Sequence, residues 1–190
     1  MSKGLIAAIG GVILFIIIIF FWATGVYDNA IEKQESVNAS WADVQATYQR
    51  RADLVPNLVA TVKGAAENEK EILVKVTQAR AGIVNAKTPE DLEIAGREIN
   101  TAINLAFEAY PQIRSTENFQ DLQAQLEGTE NRINVARQRF NDSVKDYNSY
   151  VRGFIKRMVL NMLGGDEDFS ARQAFESSAG SDVAPTVDFD

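Results

Sequence analysis

The stretch LIAAIGGVILFIIIIFFWAT, residues 5–24, carries no charged side chain. About twenty apolar residues in a row is the length a helix needs to cross a hydrocarbon core roughly 30 Å thick, at about 1.5 Å per residue. No other feature constrains the chain as much, because this one decides whether the rest is a free globule or a body tied to a lipid surface. Leu5, Ile9, Leu14, Ile18 and Trp22 mark the expected span, and Trp22 and Tyr27 fall where aromatic rings favour the membrane–water boundary. The competing reading is a cleaved leader, since Lys3 gives a short basic start and residues 23–25 form a small-x-small triplet. Leader cores run roughly 7–15 residues. This one is longer, so a retained anchor is expected. Gly4, Ala7, Ala8 and Gly11 line one side of it. Such a face lets spans approach closely, although small residues are also simply common in membrane helices.

The remaining 165 or so residues hold one modest domain (about 100–200 residues each) and read as helical. Glycine and proline are sparse, with 12 and 4 residues, which disfavours a turn-rich β architecture. The net charge of −7 is unevenly spread. From Gly164 onward there is one basic residue, Arg172, against seven acidic ones, so the middle of the chain is nearly balanced. A nucleic-acid binder carries a basic face or stripe, and none is expected here. The chain has no His and no Cys. That excludes thiolate and imidazole metal sites, the Glu-x-x-His di-iron motif, a Cys nucleophile and a His general base. Carboxylate-only chemistry is what survives.

Four patterned segments follow the span. In the first, residues 26–52, Val37, Trp41, Val44 and Tyr48 recur at spacings of four, three and four. The second carries Val55, Leu58, Val62, Ala65, Glu69, Ile72, Val76, Ala79 and Ile83 in the three-four rhythm of a bundle seam. Between them, RRADLVPN predicts a tight reversal, with Asp53 as helix cap and Pro56 in the new first turn. AKTPEDLE predicts a second start: Thr88 as cap, Pro89 at the first helical position, then acids favoured by the helix dipole. The third pattern runs Leu92, Ala95, Ile99, Ala102, Ala106, Tyr110 and stops at Pro111. The fourth runs Phe119, Leu122, Leu126, Ile133, Ala136, Phe140, Val144, Tyr147, Val151 and Phe154. The expected fold is all-α: an N-terminal transmembrane helix, then an antiparallel up-down-up-down four-helix bundle of long helices.

WADVQATYQRRADLVPNLVATVKGAAENEKEIL and YPQIRSTENFQDLQAQLEGTENRINVARQRFNDSVKDYN resemble the two signature blocks of the LemA family, and FESSAGSDVAPTVDF is similar to that family's C-terminal ending. The resemblance covers roughly residues 37–189. It implies a bacterial membrane protein with a short N-terminal segment, one span and a helical bundle, and no established enzymatic activity. A magnetosome protein in the same family points toward membrane organisation. The sequence departs from the family where Phe-Pro usually follows Tyr147-Asn148; here Phe154 is followed by Ile155.

The fourth pattern has a gap at Thr129 and Glu130. With Glu69 on the second seam, it predicts a polar layer of Glu69, Glu130, Asn131, Asn134 and Arg137. Two readings stand: a carboxylate site for a cation or acid–base work, and a structural network of ion pairs and amides that fixes register. The arginines available for pairing, Arg50, Arg51, Arg80, Arg137 and Arg139, favour the network, so no catalytic residue, metal or cofactor is expected. A second feature is the end of the fourth pattern, where Phe154, Met158 and Met162 alternate with Arg152, Lys156 and Arg157. An apolar face flanked by cations suits a membrane-surface helix, and Gly153 permits the bend that would lay it flat. The alternatives are a straight packing helix or a subunit contact.

The organisation expected is thus 1–4 an N-terminal segment, 5–24 the span, 25–163 the bundle with 151–163 its interfacial segment, and 164–190 an acidic Gly/Ser-rich tail with Phe169, Phe175, Val187 and Phe189 as isolated anchors. The function expected is a non-enzymatic single-pass scaffold in the bacterial inner membrane, self-associating or organising partners, with the lipid bilayer and copies of itself as its partners. The alternatives are an accessory or signalling subunit tethering another membrane protein, and a carboxylate-dependent enzyme. Positive-inside counting is close to a tie between Lys3 and Lys33; the basic segment at 152–157 tips the body to the cytoplasmic side.

Overall fold

The computed structural model describes residues 3–61, 66–109, 117–164 and 169–176. The described residues form helices and connecting segments, with no strand among them: α1 (Lys3–Thr61), α2 (Ala66–Asn85), α3 (Pro89–Ala109), α4 (Glu117–Val151) and α5 (Phe154–Leu163). The chain divides into two compact units. One combines Met1–Ala46 with Gln138–Arg172, the other Thr47–Arg137 with Gln173–Asp190.

In the first unit α1 changes character abruptly at Ala23. Every described side chain from Lys3 to Trp22 is exposed, and then Ala23, Val26, Ala30, Val37 and Val44 are buried at helical spacing. Phe140, Val144, Tyr147 and Val151 of α4 and Val159 and Leu160 of α5 complete this core, with Trp41 tilted against the Phe140 ring at 5.2 Å. The stripe on α1 is apolar and narrow, which is how a helix buries one side and solvates the other.

In the second unit α2 and α3 pack against each other. Ile72, Val76, Ala79 and Ile83 of α2 are buried, as are Leu92, Ala95, Ile99, Ala102, Ile103 and Ala106 of α3. The start of α3 is a reciprocal cap. The Asp91 N–H donates to Thr88 Oγ1 at 3.2 Å, while Asp91 Oδ2 accepts from the Thr88 and Lys87 N–H groups at 3.0 and 3.1 Å. This satisfies donors that a helix start leaves without partners.

Two local expectations are corrected. No reversal occurs at residues 50–57: α1 continues through Pro56 to Thr61. The buried stripe Val44, Tyr48, Ala52, Val55 runs straight through the site, and burial of that stripe outweighs the hydrogen bond that proline removes. Asp53 caps nothing there and pairs with Arg80. The gap in the fourth pattern is also filled. Thr129 is buried and completes Leu126, Thr129, Ile133, Ala136 in a three-four-three rhythm, its hydroxyl donating to the Leu126 carbonyl at 2.8 Å. A threonine whose polar atom is satisfied within its own helix packs as a small branched side chain.

The fourth pattern does not continue as one rod. α4 ends at Val151, Arg152 and Gly153 form a turn, and α5 begins at Phe154. Gly153 is extended, with φ −59° and ψ 129°, and its carbonyl accepts the Arg157 N–H at 2.8 Å, the first bond of α5.

Candidate functional site

Two places in the structure gather the residues singled out by sequence, one in each unit.

In the second unit, a cleft of about 370 Å³ is lined by Arg51, Arg97, Arg137, Glu93, Glu130 and Glu176, with Tyr48 at its wall. Arg51 pairs with Glu130 and also donates to the Leu126 carbonyl at 3.4 Å. Its side chain is mostly buried, and its Nε has no hydrogen-bond partner among the described residues. Arg137 pairs with Glu93, lies 4.6 Å over the Phe175 ring and donates to the Glu176 carbonyl at 3.5 Å. Burial pushes the Tyr48 phenol above its ordinary pKa. Glu93 and Glu130 add to that rise, and Arg137 opposes it.

Glu130 and Arg137, both expected in a polar seam, therefore take part in ion pairs reaching α1 and α3 respectively. Asn131 and Asn134 do not: both lie on the exposed side of α4, because Thr129 and Ile133 hold the seam positions beside them. The Glu69 side chain lies outside the described residues. Sequence reading missed Glu93 and Tyr48 as members of the cluster, and offered Arg51 only as one of several arginines able to pair. Arg51 and Glu130 are 79 positions apart and Arg137 and Glu93 are 44 apart, so helical periodicity alone carries no signal for either pair. Chemically, each carboxylate of the two pairs faces a guanidinium, an arrangement that fixes helix against helix. No group of three or more acidic side chains is placed to hold a metal among the described residues.

In the first unit, the span comes first. Leu5, Ile9, Leu14, Ile18 and Trp22 are each between 44% and 59% exposed, so nothing in the described protein covers them. The helix meets the length and hydropathy expected of a membrane crossing. Just beyond it, the Tyr150 hydroxyl donates to the Val26 carbonyl at 3.3 Å, and Tyr27 meets Phe169 edge-on at 5.7 Å. Tyr147 donates to Gln34 Oε1 at 3.4 Å. Asn148 clamps the backbone of Arg172 from both sides, donating to its carbonyl at 2.8 Å and accepting its N–H at 2.9 Å. Lys156 sits 3.7 Å above the Tyr150 ring, a cation–π contact.

α5 is two-faced. Val159 and Leu160 turn inward and are buried, whereas Phe154, Ile155, Met158 and Met162 are exposed, Phe154 at 85%. Arg152 and Arg157 are exposed beside them. All six surface residues expected from the sequence thus sit on this helix or its leading turn, with Lys156 tucked partly in.

The LemA family sequence profile matches residues 40–189 of the chain. Protein LemA of Metamycoplasma hominis is similar at 24% identity over 155 residues, an alignment covering 80% of this chain and 71% of that protein.

Proposed function

The chain belongs to the LemA family, and we propose that it serves as a non-enzymatic, single-pass membrane scaffold whose helices run up-down-up-down and whose body associates with further copies of itself at the cytoplasmic face of a bacterial membrane. The LemA family is not known as an enzyme family.

One observation carries the reading: the change at Ala23, where an apolar helix exposed at every described side chain becomes, without interruption, a helix with one buried face. Cleavage at residues 23–25 would leave Val26, to which Tyr150 is bonded, at a fraying chain end. A retained span instead transmits its position to the body through a continuous helix, which is what a membrane-tied organiser requires. The cleft supports the same view. Its guanidinium–carboxylate pairs are committed to each other, which suits structural register better than turnover.

The test is the mass and size of the full chain purified from membranes in mild detergent. An intact 21.0 kDa polypeptide assembling into large homomers without added protein is expected. A shortened, water-soluble chain overturns the anchor. An intact monomer overturns the scaffold, and one that co-purifies with a second membrane protein makes it a tethering subunit.

A further inference from the structure

We propose that α5 is a second membrane contact, a surface helix whose Phe154, Ile155, Met158 and Met162 sink into the lipid headgroup–acyl boundary while Arg152 and Arg157 meet anionic headgroups. The inference rests on the anchoring proposed above.

Position carries it. Trp22, the last exposed apolar side chain of the span, and Val26 are four residues apart, a rise of about 6 Å along a helix. Tyr150, in the last turn of α4, is bonded to Val26, and α5 starts four residues after Tyr150. The headgroup layer of each leaflet is roughly 5–8 Å deep. The turn that releases α5 therefore lies at the depth where the span leaves the hydrocarbon, and the aromatic side chains there, Trp22, Tyr27 and Tyr150, are of the kind that settle at that boundary.

Packing supplies the second argument. The inward pair Val159 and Leu160 fixes the helix to its own unit, so the outward apolar row is a held surface and not a loose end. Four large apolar side chains side by side on ten residues, Phe154 and Met162 at 85% and 73% exposure, form the sort of patch that water-facing proteins rarely leave bare.

Charge agrees. Residues 152–164 include three cations and no acid, as a helix lying on an anionic leaflet requires. The acids Asp166, Glu167 and Asp168 follow directly in sequence, so the apolar row is the principal contact and the cations add to it. A second copy is a poorer occupant, because a two-fold contact through this face would bring Arg152 and Arg157 toward their own counterparts.

The chain has no cysteine, so single nitroxide labels can be placed cleanly. Full-length F154C, M158C and M162C are each reconstituted in vesicles of phosphatidylethanolamine and phosphatidylglycerol. I13C reports on the span, and S36C, at an exposed position of α1, reports on bulk water. Collision rates with oxygen and with a water-soluble nickel chelate then give depth. The expected result is oxygen contact several-fold above nickel contact at residues 154, 158 and 162, shallower than at residue 13, with the reverse ratio at residue 36. If residue 13 is lipid-embedded but 158 and 162 resemble 36, the surface helix is overturned and the anchor stands. If residue 13 also resembles 36, both fall. Labels on α5 shielded from both reagents, with dipolar broadening, identify a second copy and overturn the lipid contact.

Discussion

The ring of Tyr48 lies directly against the backbone of Gly96: a Cβ added there would come within 2.5 Å of Tyr48 Cε1. Tyr48 is almost fully buried and lines the charged cleft, so the ring has little room to retreat. Gly96 is in the middle of α3, where alanine would otherwise be favoured by about 1 kcal/mol. The clash outweighs that preference. Gly96→Ala is expected to destabilise the protein by about 1–3 kcal/mol, the usual cost of overpacking a core, read as a lowered unfolding midpoint in detergent. In a Tyr48→Leu background the same substitution is expected to become neutral or stabilising. An equal loss in both backgrounds would place the strain elsewhere.

Arg137 joins the Glu93 carboxylate, the Phe175 ring and the Glu176 carbonyl, and also bonds the Tyr48 phenol. Arg137→Ala should cost about 1–3 kcal/mol through the lost charged hydrogen bonds and ring contact. It should also release the backbone of residues 173–176, seen as faster hydrogen exchange there than in the parent. Arg137→Lys keeps the charge but not the planar stacking surface, so it should fall between the two. Unchanged exchange in the alanine variant would mean that Phe175 is held by apolar burial alone.

Much of this architecture is legible in the sequence because burial follows a period. Val37, Val44, Ile83, Ile99, Phe140 and Tyr147 each fall on a stripe by spacing, and each is buried. The Thr88 cap is legible because its chemistry is local, with donor and acceptor three residues apart. Other features resist reading for physical reasons. Pro56 is a strong local stop signal that tertiary burial overrides. Thr129 looks like a break in an apolar stripe until its hydroxyl is seen bonded within its own helix. Phe175 sits in a polar acidic stretch, and it is buried with its ring beneath Arg137, 38 positions away. Phe169, likewise isolated in sequence, finds Tyr27; Val187 and Phe189 lie outside the described residues.

The cap of α3 gives an acid-sensitive term. The Thr88 hydroxyl, followed by the Lys87 and Thr88 N–H groups, holds the Asp91 carboxyl below its ordinary pKa. A depressed carboxyl favours the folded state only while ionised. Its contribution is therefore present above the usual carboxylate value near pH 4 and disappears as pH falls through the lower folded value. Asp91→Asn should melt below the parent at pH 7. The two midpoints should converge as the pH falls below the ordinary carboxylate range, where the parent loses the same charge. A gap that persists unchanged into acid would assign the effect to side-chain shape and not to ionisation.

Pro56 separates the two pictures of the first long helix. If a new helix began near residue 54, proline would occupy a first turn, where its missing N–H costs nothing and its fixed φ limits the unfolded chain. Pro56→Ala would then be neutral or mildly destabilising. In the continuous α1, Pro56 is an interior residue. It cannot donate to the Ala52 carbonyl, and its ring crowds that same turn. Ala52 and Val55, in the turn before it, are fully buried, so water is poorly placed to replace the missing bond. Pro56→Ala is therefore expected to stabilise the protein by about 1–3 kcal/mol, raising the unfolding midpoint and slowing exchange of the amides next to residue 56. A lowered midpoint would show that the chain does turn there, and that the unbroken stripe through Tyr48, Ala52 and Val55 belongs to two helices instead of one.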